Sequence, residues 1–291
     1  MKDVVLNVEK LRFLGKGTYS DVFLIKQQNK FFVYKENRRK NPNWFMHEMM
    51  AKIIRRRISA FQGNLFVPKC IELTENYEIE EFFDGLPFSA EVFNNLPRNQ
   101  QLRLSKDFAE FLSFMHEQEI NEENYSELCF NQWPSEKRVK TFLSKYIPTK
   151  EIDEYLNLEN WYKNMNHTDE KTVLCHMDLK PSNVLFNVKN KQLAILDFGT
   201  ARNENIYYDF FPTNTLRFGF SYLFLKMYIQ EYNKISKQQI DIEKVKNLHL
   251  LGCYRHAVRL CINNEQTPEQ TRKTIELLCI KQQLIHAILK S

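Results

Sequence analysis

The sequence predicts an α+β protein in two lobes: a small antiparallel β-sheet with one helix, over residues 1–84, and a larger, mostly helical part, over residues 85–291. Three observations carry that prediction. Short β-prone runs separated by tight turns fill the first third of the chain. Helical periodicity dominates the remainder. The seven glycines are few for 291 residues, and Gly15, Gly17, Gly85 and Gly199 fall beside strand candidates or after acidic stretches. Glycine is needed where φ turns positive or where backbone approaches something closely, so these four positions stand out.

Leu11 to Leu14 leads into Gly15-Lys16-Gly17, and Val22 to Ile25 is an apolar run. A polar turn from Gln27 to Lys30 precedes a second β-prone run, Phe31 to Tyr34, so the three segments read as a meander. Pro42 and Asn43 punctuate a helix in which Phe45, Met49, Met50, Ile53 and Ile54 repeat at helical spacing. Further strands are expected at Cys70 to Leu73 and Tyr77 to Phe83. From Pro97 to Glu119 the pattern is helical, with Leu102, Phe108, Phe111, Leu112 and Met115 on one face. Residues 120–170 are polar and carry no motif. Thr172 to Cys175, Val184 to Phe186 and Gln192 to Leu196 are short apolar segments between turns, and the chain beyond Asn205 is mostly helical. Thr267-Pro268-Glu269-Gln270 reads as a helix start with reciprocal caps.

Composition narrows the function. A formal charge of +5, with its arginines in short clusters such as Arg55-Arg56-Arg57, reads as solvated helix faces and not as a nucleic-acid site. The N-terminus lacks the apolar core of a signal peptide, and no run of about 18 apolar residues suggests a membrane span. The six scattered cysteines form no C-x-x-C pair, so buried free thiols in a cytoplasmic protein are expected, without a cysteine metal site.

The densest chemical signal is His176-Met177-Asp178-Leu179-Lys180-Pro181-Ser182-Asn183, followed fourteen residues later by Asp197-Phe198-Gly199. Phosphoryl transfer from ATP needs an oriented hydroxyl nucleophile and phosphate charge neutralised by metal. Asp178 suits the first task. Asn183 and Asp197, both oxygen donors, suit Mg²⁺ on the phosphates. The pattern H-x-D-x-x-x-x-N followed by D-F-G resembles the protein-kinase-like superfamily, roughly from Leu11 to Phe211. The resemblance implies a two-lobed kinase fold with a small antiparallel β-sheet N-lobe and a larger helical C-lobe, and an ATP- and Mg²⁺-dependent transferase.

It also assigns upstream residues. Gly15-Lys16-Gly17-Thr18-Tyr19-Ser20-Asp21-Val22 resembles the glycine-rich nucleotide loop, with Ser20 at the third glycine position. Lys35 becomes the lysine on the α- and β-phosphates, and Glu48 in the following helix its ion-pair partner. His47 is read as helix surface. Glu80-Glu81-Phe82-Phe83-Asp84-Gly85 resembles the hinge, where backbone groups of Glu81 and Phe83 would meet adenine. His176 and His116 are structural in this reading, His116 lying in a helix that packs under the catalytic loop, where Met115 replaces a leucine. Lys180 would add positive charge near the transferring phosphate.

Within the superfamily the aminoglycoside phosphotransferase and choline kinase-like branch fits best. Met177 stands where protein kinases carry arginine, and no A-P-E follows Gly199. Tyr208-Asp209-Phe210 resembles that branch's downstream aspartate, although Asp209 also reads as a helix N-cap. The expected acceptor is a small hydroxylated molecule: an aminoglycoside, choline or sugar-like compound. Lys180-Pro181 follows the serine/threonine protein kinase pattern, which keeps a protein substrate as the alternative, and a nucleotide-binding pseudokinase as a third. Glu117, Glu119, Glu122, Glu123 and Glu127, with Trp161 and Tyr162, could face a cationic acceptor, or could form a solvated face and a packing contact.

Overall fold

Gln28 and Asn29 both hold positive φ, 47° and 62°, in the turn between the second and third strands. Two successive left-handed residues make the tight hairpin whose twist matches its strands. In the computed structural model, the described residues are 9–17, 19–38, 42–118, 141, 144, 149–165, 172–210, 221–248, 251 and 269. They show the α+β, kinase-like architecture expected from the sequence.

Strands β1 (Lys10–Lys16), β2 (Ser20–Gln27) and β3 (Lys30–Asn37) form the meander, and helix α1 follows over Pro42–Ile58. Beyond it come β4 (Leu65–Phe66), β5 (Cys70–Leu73), β6 (Tyr77–Glu81) and β7 (Leu86–Pro87). The five-stranded sheet has the order β1-β2-β3-β6-β5, antiparallel throughout. Its register aligns Gly15 with Val22, Val22 with Lys35 and Lys35 with Glu78 in one row across four strands.

The face that α1 buries differs from the expected one. Phe45, Met49 and Met50 are only half-buried and Ile53 is exposed, whereas Trp44, Glu48, Ala51, Ile54, Arg55 and Ile58 are buried. The spacing is still helical. Two charged residues occupy the buried stripe, so an apolar count reads the face a step out of phase. Arg55 is buried and paired, while Arg56 and Arg57 are exposed as the solvated-face reading requires.

Later in the chain, β8 (Thr172–Cys175), β9 (Val184–Asn187), β10 (Gln192–Ile195) and β11 (Arg202–Asn205) are joined by 3-10 turns at Pro181–Asn183 and Phe198–Thr200. A second sheet runs β4-β10-β9-β7, with β10 parallel to β4, and β8 pairs with β11. The chain divides into two compact units, one of residues 1–88 and 182–201, the other of 89–181 and 202–291. Pairing of β9 and β10 with β7 and β4 places the Asp197 segment with the N-terminal elements, whereas the sequence division was drawn along the chain at residue 84.

The second unit is built on α2 (Ala90–Asn94), α3 (Arg98–His116), α4 (Thr149–Met165) and α5 (Tyr222–Ile235). Ser89 and Ser221 cap α2 and α5, accepting from the N–H groups of Val92 and Phe224. On α3, Leu104, Phe108, Phe111, Leu112 and Met115 are buried, but Leu102 is exposed, on the far side from Phe108. Phe93 and Phe108 meet Phe224 and Tyr228 of α5 at ring-centroid distances of 5.0–5.1 Å. Each buried aromatic contributes roughly 2–3 kcal/mol. No helix among the described residues is long and apolar enough to cross a membrane. Glu119, Glu122, Glu123, Glu127 and the side chain of Tyr162, like Thr267, Pro268 and Gln270, lie outside the described residues; Glu117 is exposed.

Candidate active site

In the first unit, strand alternation puts Glu78 and Glu80 on the face of β6 that meets Lys35 of β3. The Lys35 ammonium lies 3.0 Å from Glu80, 3.1 Å from Glu78 and 3.8 Å from Glu48 of α1. The expected Lys35–Glu48 pair is therefore present, within a larger buried network. Arg55, seven residues after Glu48 and on the same helix face, bonds both Glu78 and Glu80. Burial alone would lower the Lys35 pKa, but Glu78, Glu80 and Glu48 outweigh it and hold the ammonium well above its ordinary value. Burial likewise disfavours the Glu48 carboxylate, and Lys35 reverses that, leaving its pKa below 4.5. Cys70 is a free thiol, pushed up to about 12 by burial and then by Glu78.

Gly15 and Gly17 flank Lys16 where β1 ends, and the Gly17 N–H donates to the Ser20 carbonyl at 2.8 Å. A Cβ on Gly17 would come within 3.0 Å of Ser20 Oγ. Ser20, at the third glycine position, is buried. Arg38, just past β3, clamps the turn: its Nη2 donates to the carbonyls of Gly17 (2.7 Å) and Ser20 (3.1 Å). In the sequence Arg38 reads only as part of the basic cluster Arg38-Arg39-Lys40. At the hinge candidate, the Glu81 N–H donates to the Lys69 carbonyl and the Glu81 carboxylate accepts from the Lys69 N–H, both at 3.0 Å. Phe83 is buried and stacks on Phe66. A Cβ on Gly85 would fall 2.7 Å from the Phe83 ring, so close packing explains that glycine.

The β9–β10 register, Val184 opposite Ile195, sets Asn183 opposite Leu196, one residue short of Asp197. The Leu196 N–H donates to the Asn183 carbonyl at 2.8 Å. Asn183 is buried, and Asp197 stands in the left-handed region with φ 61°. Such a backbone costs about 1–3 kcal/mol and gathers at functional sites. His47 is not helix surface: its side chain is 15% exposed, meets the Tyr19 ring edge-on at 5.5 Å and lies 3.6 Å from Glu48. Its ring fills the space a Cβ on Gly199 would need. Burial pulls the His47 pKa down, but Glu48 and Asp197 more than reverse it, leaving it above 6.5.

In the second unit, Asp178 and Lys180 pair at 2.6 Å. His176 is fully buried, and its Nδ1 accepts from the Asp178 N–H at 3.3 Å. Asp209 accepts from the backbone N–H groups of His176 (2.8 Å) and Met177 (2.9 Å). The cap of its 3-10 turn, Ile206–Asp209, is Asn205, so the N-cap reading of Asp209 is set aside. His116 bridges Asp209 (3.1 Å) and the Tyr232 hydroxyl (2.8 Å). The nearby Cys175 thiol is held well above its ordinary pKa by burial and by Asp209, which makes it a poor thiolate ligand although His116, Cys175 and Asp209 cluster.

The family model of the phosphotransferase enzyme family, APH, matches residues 10–246. Among solved structures, ADP-bound aminoglycoside phosphotransferase APH(2'')-Ib aligns at 19% identity and TM-score 0.65, covering 94% of this chain and 93% of that one. The streptomycin–ATP ternary complex of APH(2")-IIa aligns at 20% identity and TM-score 0.65, covering 94% and 92%. Ethanolamine kinase from Plasmodium vivax aligns at 17% identity and TM-score 0.57, covering 96% and 83%. Among curated proteins, the serine/threonine-protein kinase RIM11/MSD1 of Saccharomyces cerevisiae is 23% identical over 112 residues. That match spans 36% of this chain and 30% of that protein's length.

Proposed function

Since the chain belongs to the APH phosphotransferase enzyme family, we propose that it moves the γ-phosphate of ATP to a hydroxyl of a small molecule of aminoglycoside, choline or sugar type. The observation that carries the small-molecule reading is the short path from Gly199 to Asp209. The turn at Phe198–Thr200, strand β11 and the turn at Ile206–Asp209 occupy it, leaving no length for the long activation segment of a protein kinase.

Lys35 contacts the α- and β-phosphates, Glu48 orients Lys35, and the loop of Gly15, Gly17, Ser20 and Val22 covers the nucleotide. Backbone groups of Glu81 and Phe83 meet the base. Asp178 orients the acceptor hydroxyl and takes its proton, while Lys180 adds positive charge toward the transferring group. Asn183 and Asp197 offer an amide oxygen and a carboxylate, a hard donor set suited to Mg²⁺, which neutralises phosphate charge when bound. The left-handed backbone at Asp197 supports a functional constraint there.

A protein acceptor is the second reading, favoured by the Asp178–Lys180 pair and the partial likeness to a serine/threonine kinase. An ATP-consumption screen decides between them. Aminoglycosides, choline, neutral sugars and generic protein substrates are compared at low and high salt. Turnover on a small hydroxylated molecule is expected, salt-sensitive if the acceptor is cationic. Turnover on proteins alone would sink the small-molecule reading.

A further inference from the structure

Two carboxylates without a part in the reaction, Glu78 and Glu80, lie closer to Lys35 than its expected partner Glu48 does: 3.1 and 3.0 Å against 3.8 Å. All three are buried. Charges at such separations attract strongly away from water. A lysine held by three carboxylates is poorly placed to give its charge to a phosphate. Arg55 changes that balance. Its two terminal nitrogens engage one carboxylate each, Nη1 with Glu80 and Nη2 with Glu78, a geometry the planar guanidinium fork allows and an ammonium does not.

We propose that Arg55 is a positioning residue for the nucleotide site: by sharing Glu78 and Glu80 with Lys35 it weakens their hold on the ammonium, so that Glu48 and the phosphates can compete for it. It acts through Lys35 and touches no substrate. The same bonds tie α1 to β6, so Glu48 stays in reach of Lys35. The inference rests on the reading of Lys35 as the phosphate-contacting lysine.

The test uses the full chain, Mg²⁺ and a non-hydrolysable ATP analogue, with binding measured by calorimetry and folding by thermal midpoint. Arg55→Met keeps most of the side-chain length and removes the charge. It should weaken analogue binding about tenfold. Adding Glu78→Gln and Glu80→Gln to Arg55→Met should bring affinity back within about threefold of the parent. Glu80→Gln alone, with Arg55 retained, should bind the analogue more tightly, which a purely structural role does not predict. Wild-type affinity in Arg55→Met, or no recovery in the triple variant, overturns the proposal. If Arg55→Met fails to fold, Glu80→Gln decides, and unchanged or weaker binding overturns it. Lys35→Ala separates the two readings: unchanged binding there removes the assigned role of Lys35, and this inference with it. Weakened binding in Lys35→Ala beside wild-type binding in Arg55→Met removes only the inference.

Discussion

Asp209 accepts the backbone N–H of Met177 at 2.9 Å, and Met177 holds a left-handed φ of 71°. Methionine has no intrinsic taste for that region, so the backbone of this loop is kept there by its surroundings. The other oxygen of Asp209 takes the His176 N–H and meets His116. Asp209→Ala should therefore cost roughly 2–4 kcal/mol, since it leaves buried donors without their acceptor. Activity should fall by more than that loss of folded protein explains, although Asp178 is untouched. Urea unfolding and kcat measured on the folded fraction check this, and wild-type kcat would refute it.

Asp178→Ala and Asp197→Ala should each abolish phosphoryl transfer with little change in thermal midpoint. Both carboxylates serve charge placement in the proposed reaction, and neither belongs to the buried core. Wild-type turnover in either variant would remove the reaction scheme.

Arg38→Ala should raise KM for ATP about fivefold, roughly 1 kcal/mol, while leaving kcat nearly unchanged. The clamp on the Gly17 and Ser20 carbonyls shapes the proposed nucleotide loop. Arg38→Lys should recover only part of the loss, because the guanidinium also meets the Asp21 carboxylate through Nε at 3.3 Å, and one ammonium is ill placed to serve all three oxygens. A fall in kcat with KM unchanged would contradict a loop-shaping role.

Much of this was legible in the sequence because motif residues are fixed by short spacing. Lys35 ends a β-prone run, Asp178 and Asn183 stand in the H-x-D-x-x-x-x-N pattern, and Asp197 precedes Phe198-Gly199. The supporting charges were not legible. Arg55 stands in a run of three arginines, and Glu78 and Glu80 alternate along a strand as solvent-facing glutamates would. Only the β3–β6 register, which pairs residues 43 apart, brings Lys35 against Glu78. The role of Asp209 depends on a bond to residues 32 and 33 positions away, which no local pattern encodes. The two-residue strands β4 and β7 are too short for periodicity to show.

Glu48 sets an acid dependence. Its folded pKa lies below the ordinary 4.5, so its contribution to stability is present above that value and is lost as pH falls through the folded pKa. Glu48→Gln should cost about 3 kcal/mol near neutral pH, as loss of a buried partner does. The gap between the two proteins should then close as pH drops below 4.5. Unfolding curves from pH 7 to 3 would show it, and a constant gap would disprove the assignment.

Gly199 supplies the last prediction, because its glycine is required by space and not by backbone angle. Its φ lies outside the positive range, yet an added Cβ would fall 1.8 Å from His47 Cε1. The ring cannot simply turn away, since it is largely buried, packed against Tyr19 and beside Glu48. Gly199→Ala should therefore displace either the His47 ring or the Asp197-Phe198-Gly199 backbone. The second outcome would move the proposed metal carboxylate and cut kcat about tenfold or more, as small misplacements do. Removing the ring should relieve the conflict, so His47→Ala combined with Gly199→Ala should recover most of the lost kcat. His47→Ala alone should cost little, because it deletes the obstacle without shifting Asp197. Equal impairment of the single Gly199→Ala and the double variant would mean that the added methyl acts through the backbone, and the steric account of Gly199 would fall.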